Sequence, residues 1–232
     1  MGTGETVTAP AEGIEPSAEF VLPLVVHVER ASPPGRTDAL EASARAVLAL
    51  LADPRATHGE WADPVRAWEA GRIRKVVRRA RGAAWRRVLA LPGITVTEGT
   101  AQVRVHPPVP VGRWPADLAR LQVAGTELAD AEPPPDVAAA TTPVLWLNPD
   151  LTMTAGKAMA QVGHAAQLAW WRLRDEARAA WLAGGLRLAV RTAPAGCWAK
   201  FVASGLPVVR DAGFTEVAPG SCTVVADVPA LR

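Results

Sequence analysis

Lys157, Gln161 and His164 stand at i, i+4 and i+7 in a stretch without proline. On a helix that spacing puts an ammonium, an amide and an imidazole on one stripe. Ala158, Val162, Ala165 and Ala169 fall largely on the opposite side, where small side chains let a helix lie close to a sheet. The stripe starts at the helix N-terminus, whose free N–H groups and dipole favour anions, and Lys157 adds a full charge there. The wet face of a surface helix carries the same residue types, so the stripe alone leaves two readings open. Further on, Asp211 precedes Ala212 and Gly213 at the end of the apolar run 206–210, a place for an exposed turn carboxylate, and Thr215 follows. Asp211 is equally a residue that simply forms a turn.

These residues need elements to position them. Residues 143–147, Pro-Val-Leu-Trp-Leu, read as a buried strand, Gly156 lies in the turn, and 157–171 is Ala-rich and predicts a helix. Strand, Gly-containing turn and helix form a common α/β unit. The order of residue types is more telling. Residues 150–165 read Asp-Leu-x-Met-x-x-Gly-Lys-x-x-Ala-Gln-x-x-His-Ala. Residues 206–215 read Leu-Pro-Val-Val-Arg-Asp-Ala-Gly-Phe-Thr, and 218–225 read Ala-Pro-Gly-Ser-Cys-Thr-Val-Val. Together, over 143–232, they resemble the type 2 peptidyl-tRNA hydrolase family.

That resemblance implies cleavage of the ester between a peptide and the terminal ribose of tRNA, with Lys157, Asp211 and Thr215 as the functional residues. Gln161 and His164 also match the family pattern. Such chemistry needs a positioned water, a proton acceptor, donors for a developing oxyanion, and cations for the acceptor-end phosphates. Asp211 would orient or deprotonate the water. Lys157 would either stabilise negative charge on the substrate or fix the carboxylate. Thr215 would donate to the carbonyl oxygen or hold Asp211, and Gln161 and His164 would position ribose, water or leaving group. Arg210 either binds phosphate or pairs with an acid. Two departures stand out. Met159 occupies a position where the family usually has a small residue, and Phe214-Thr215-Glu216 replaces the more usual Arg-Thr-Gln. Losing a basic residue and gaining an acidic one there should weaken contact with tRNA.

The remainder of the chain bounds the reading. With 49% apolar residues, its 232 residues can bury a core as one large or two small domains. Cys197 and Cys222 are too few for a disulfide framework and match no metal spacing. No His or Cys cluster and no Walker-type phosphate loop occurs, so no metal or cofactor is expected. Residues 1–19 lack the apolar core of a secretory signal and read as a disordered tail, and no apolar run is long enough to span a membrane. The expectation is a cytoplasmic protein.

From Phe20 a strand is predicted over 21–28, then a helix over 37–51. A second helix follows, capped by Asp63 with Pro64 at its first position. Beyond it come a strand over 72–77, a helix over 83–91, a strand over 102–105 and a helix over 114–123. Residues 127–142, with Pro133-Pro-Pro135 and an Ala run, read as a linker. The second half then repeats the order of the first. Residues 68–78 line up with 181–191 at a constant offset that also brings Trp85 onto Trp198, and Gly35 matches Gly156. The expected fold is therefore α/β. Two tandem three-layer units, 20–126 and 143–232, each carry a mixed sheet of about four strands flanked by helices, arranged as a pseudo-dimer in one monomeric chain.

The copies differ where chemistry would be done. Arg36, Leu40 and Ser43 replace Lys157, Gln161 and His164, and the counterpart of 210–215 is shortened away between Val96 and Gly99. Between 66 and 87 the first copy instead concentrates Arg66, Arg72, Arg74, Lys75, Arg78, Arg79, Arg81, Arg86 and Arg87 against one acid, Glu69. A basic concentration of that kind is an electrostatic footprint for nucleic acid despite a net charge of only +2, or else a solubilising face. The first reading makes the degenerate copy a holder of tRNA and the other copy the cutter. A non-catalytic RNA- or protein-binding member of the same fold, or a hydrolase of another aminoacyl ester or amide, is the alternative.

Overall fold

A computed structural model describes residues 19–138, 140–213 and 215–232. The expected tail, Glu19 apart, lies outside the described residues. The first half runs β1 (Phe20–His27), α1 (Arg36–Ala52), α2 (Pro54–Thr57), α3 (Ala62–Glu69), β2 (Lys75–Ala80) and α4 (Gly82–Ala90). It continues with β3 (Ile94–Glu98), β4 (Ala101–Val105), β5 (Val109–Pro110) and α5 (Ala116–Ala119). The second half runs β6 (Val144–Leu147), α6 (Ala155–Arg172), α7 (Asp175–Ala183) and β7 (Ala189–Thr192). It ends with α8 (Trp198–Ala203), β8 (Val208–Arg210), β9 (Cys222–Asp227) and a 3-10 turn, Pro229–Leu231.

Two mixed sheets result among the described residues, flanked by helices. The first has five strands, ordered β2-β1-β4-β3 with β5 on one end of β1, and the second has four, ordered β7-β6-β9-β8. The pairing senses correspond. β1 is parallel to β2 and antiparallel to β4, as β6 is parallel to β7 and antiparallel to β9. Leu24 pairs with Val77, and Leu145 with Val190. The central strands β1 and β6 are apolar and mostly buried, as strands covered on both faces must be.

One continuous core joins the halves, running from Leu22 and Leu24 through Leu48 and Met159 to Val224. α1 and α6 lie side by side at its centre. Their contact is close because Gly163 has no side chain: a Cβ there would sit 3.1 Å from Val47 Cγ2 and 3.2 Å from Lys75 Cδ. The Ser43 hydroxyl crosses the same contact and donates to the Met159 carbonyl at 3.1 Å. Met159, read as a departure, is fully buried in this core.

Several local expectations need correction. Asp63 does not cap α3. Trp61 precedes that helix, and Asp63 sits in its first turn beside Arg66. β2 starts and ends three residues late, because Ile73 takes a left-handed φ of 46° and parallel pairing with β1 runs on to Ala80. β3, partly exposed all along, carries too little apolar signal to read as a strand, yet it pairs with β4 over five residues. α5 is one turn rather than the helix expected over 114–123. The linker is tied down as well. Asp130 accepts from the Thr37 N–H and hydroxyl at 2.8 and 2.7 Å, and the Pro135 carbonyl accepts from Arg191.

Candidate active site

α6 begins at Thr154, whose hydroxyl accepts from the Lys157 N–H at 3.2 Å and donates to Glu216 at 2.7 Å. Glu216 also accepts from the Thr154 N–H at 2.8 Å. A cap of this kind stabilises a helix by about 1 kcal/mol, and here it also ties the 211–221 loop to the turn that carries Lys157. The acidic departure at 216 thus has a structural partner.

Lys157 Nζ reaches Asp211 Oδ2 at 2.5 Å. Gln161 Nε2 donates to the same oxygen at 2.9 Å, and the Gly213 N–H donates to Oδ1 at 2.8 Å. Three donors from two elements some fifty residues apart in sequence therefore fix one carboxylate. Behind it, the Thr223 hydroxyl on β9 donates to Gln161 Oε1 at 2.5 Å, which sets the amide so that its NH2 points at Asp211. Thr223 is fully buried on β9.

His164 is not part of this set. It turns toward the first half, where Lys75 Nζ lies 3.2 Å from its Nδ1 and 2.6 Å from Gln167 Oε1. Lys75 is itself buried, with its Nζ 4.8 Å from the centre of the Trp68 ring. Burial pushes the lysine well below its ordinary pKa, with Glu69 opposing. It pushes His164 down too, helped by the positive charges of Lys75 and Lys157. The expectation that Lys75 belongs to an exposed basic patch is therefore corrected: it is buried in an internal contact between the halves.

Lys157, Gln161, Asp211, His164 and Lys75 border one cleft of about 850 Å³. α6 is its floor, with Lys157, Gln161 and His164. One wall is β8 and the loop after it, with Arg210, Asp211 and Thr215. The other is β2 and the residues just before it, with Arg72, Arg74 and Lys75. Thr215 is exposed at the rim, and Arg210 is exposed with its guanidinium 3.1 Å from Cys222 Sγ. The remaining cations divide. Arg78 donates to the Leu121 carbonyl and lies 4.3 Å over Trp114, and Arg79 holds Gly125 and Gln122. Arg81, Arg86 and Arg87 are exposed, Arg87 paired with Asp117.

Among the described residues, no group of three or more His, Cys, Asp or Glu side chains could hold a metal, and no helix is long and apolar enough to cross a membrane. What fold and site define is a mixed α/β protein with a lysine–carboxylate pair bordering an open cleft. Residues 141–232, the C-terminal part of the chain, match the family described as Peptidyl-tRNA hydrolase PTH2. The match does not extend into the first half. A search of curated proteins finds no match to the chain.

Proposed function

We infer that this protein is a peptidyl-tRNA hydrolase. The observation that carries the reading is the Lys157–Asp211–Gln161 cluster, held at 2.5 and 2.9 Å on the floor of an open cleft, in the part of the chain that matches the family. Asp211 has both oxygens anchored, so its remaining lone pairs point in fixed directions and can orient a water and take its proton. That water adds to the ester carbonyl, the bond from carbonyl carbon to ribose oxygen breaks, and the ribose oxygen leaves with a proton. The products are a free peptide acid and tRNA with a free terminal hydroxyl. Lys157 holds the carboxylate in place. Its ammonium and the Thr215 hydroxyl are the donors nearest to hand for the developing oxyanion.

Arg72 and Arg74 on one wall and Arg210 on the other flank the cleft and suit the acceptor-end phosphates, with Arg81, Arg86 and Arg87 available to the tRNA body. Lys75 fixes the His164 ring from the first half, so in this reading the degenerate copy completes the site of the other and the chain works as a monomer. The test is release of N-acetylated amino acid from charged tRNA by the purified full chain. Turnover supports the hydrolase, and tRNA binding without turnover would support a non-catalytic member of the fold.

A further inference from the structure

The two sheets each leave an outer strand facing the opposite half, and their edges are treated differently. Along β2, the Leu22 N–H donates to the Arg74 carbonyl and the Val28 N–H to the Ala80 carbonyl. The even-numbered backbone groups thus turn to β1 and the odd-numbered ones to the open side. There the Arg79 N–H already bonds the Gln122 carbonyl at 3.0 Å, as the first bridge of an antiparallel neighbour. The next odd positions, Val77 and Lys75, border the cleft, and among the described residues no group accepts from the Val77 N–H.

The matching position in the second sheet is Val190, since it pairs with Leu145 as Val77 pairs with Leu24. Its N–H is occupied: a carboxylate oxygen of Glu41, on α1, accepts from it at 3.0 Å and also holds Arg191 at 2.7 Å. One groove is closed by an internal acceptor. The other, bordered by Lys157 and Asp211, keeps the equivalent donor facing an 850 Å³ space.

We propose that the peptide part of the substrate docks on this edge as a short added strand, with one of its carbonyls accepting from the Val77 N–H where Glu41 serves Val190. The proposal rests on the hydrolase reading only for the identity of the ligand. Main-chain pairing suits it, because a strand edge reads backbone and ignores side chains, and peptides carried by tRNA differ in sequence. The neighbouring apolar wall, Val76, Ala160, Leu168 and Val209, tolerates any side chain of moderate size.

The experiment is an amide-resonance titration of the full chain labelled with 15N-valine, the Val77 peak being identified by its loss in Val77→Ile. The probes are acetyl-trialanine methylamide, acetyl-trileucine methylamide, and a trialanine analogue in which ester groups replace the amides. Both peptides should shift the Val77 peak to a similar extent and leave Val190 in place, and the ester analogue should bind about five- to tenfold more weakly. A silent Val77 peak, a shift with one side chain only, or a shift with a cytidine-cytidine-adenosine trinucleotide but not with peptides overturns the proposal. Cleavage of charged tRNA with Val77 silent would remove this docking site and leave the hydrolase standing. Peptide shifts without cleavage would do the reverse.

Discussion

Asp211 illustrates how a loop carboxylate becomes fixed in one orientation. Its three donors come from Lys157, Gln161 and Gly213, and the Gln161 amide is oriented in turn by Thr223. Replacing Thr223 with Val keeps shape and removes that hydroxyl. An unmatched buried acceptor costs about 1–3 kcal/mol, and a Gln161 free to flip presents its oxygen to Asp211. Thr223→Val should therefore lower kcat by about tenfold with little change in KM, read from steady-state release of acylated amino acid. A buried histidine elsewhere sets acid stability. His106 is 2% exposed, its Nδ1 2.7 Å from the Pro92 carbonyl, and burial lowers its pKa to about 4. The unfolded chain binds this proton at a higher pH than the fold does. Stability is thus intact above the ordinary histidine pKa and is lost as pH falls toward 4, by about 3 kcal/mol. His106→Asn keeps a donor for Pro92 without titrating. Urea melts between pH 7 and 4 should show a shallower decline for that variant than for wild type, and parallel declines would contradict the assignment.

Among the elements, α6 and the 211–221 loop matter most, because they must meet for the site to exist. The loop folds back at Gly213, with φ at +80°, and a Cβ there would come within 2.7 Å of Pro219 Cδ. Gly213→Ala meets both a left-handed backbone cost of about 1–2 kcal/mol and that contact, and the Gly213 N–H would leave Asp211. Activity should fall tenfold or more while the circular dichroism spectrum stays unchanged. Much of α6 was legible in the sequence: an Ala-rich run without proline, a Gly-Lys start and a polar stripe. The stripe was not fully legible, since Lys157 and Gln161 share Asp211 while His164 belongs to Lys75, and spacing on one helix does not say what faces it. β3 and the shortened α5 escaped for a different reason. Their stability comes from pairing and packing against β4 and α4, not from a pattern of their own.

For the whole molecule, the cleft exists only because two sheets share a core through α1 and α6, which brings the β2 edge opposite β8. The basic run of the first half was visible as composition, but its division was not. Arg78 and Arg79 hold carbonyls of their own unit, Lys75 is internal, and Arg72 and Arg74 face the site. Arg72→Ala together with Arg210→Ala should weaken tRNA binding and reduce the slope of log affinity against log salt by about 1–2, with each phosphate contact contributing close to 1. An unchanged slope would assign those two residues another purpose. The most direct measurement of the central claim is a single-turnover release assay with N-acetylated aminoacyl-tRNA on wild type, Asp211→Asn and Lys157→Ala, each checked for folding. Release by wild type, with at least a hundredfold loss in both variants at similar tRNA affinity, is the predicted result. Equal release by all three proteins, or none by wild type, would contradict it.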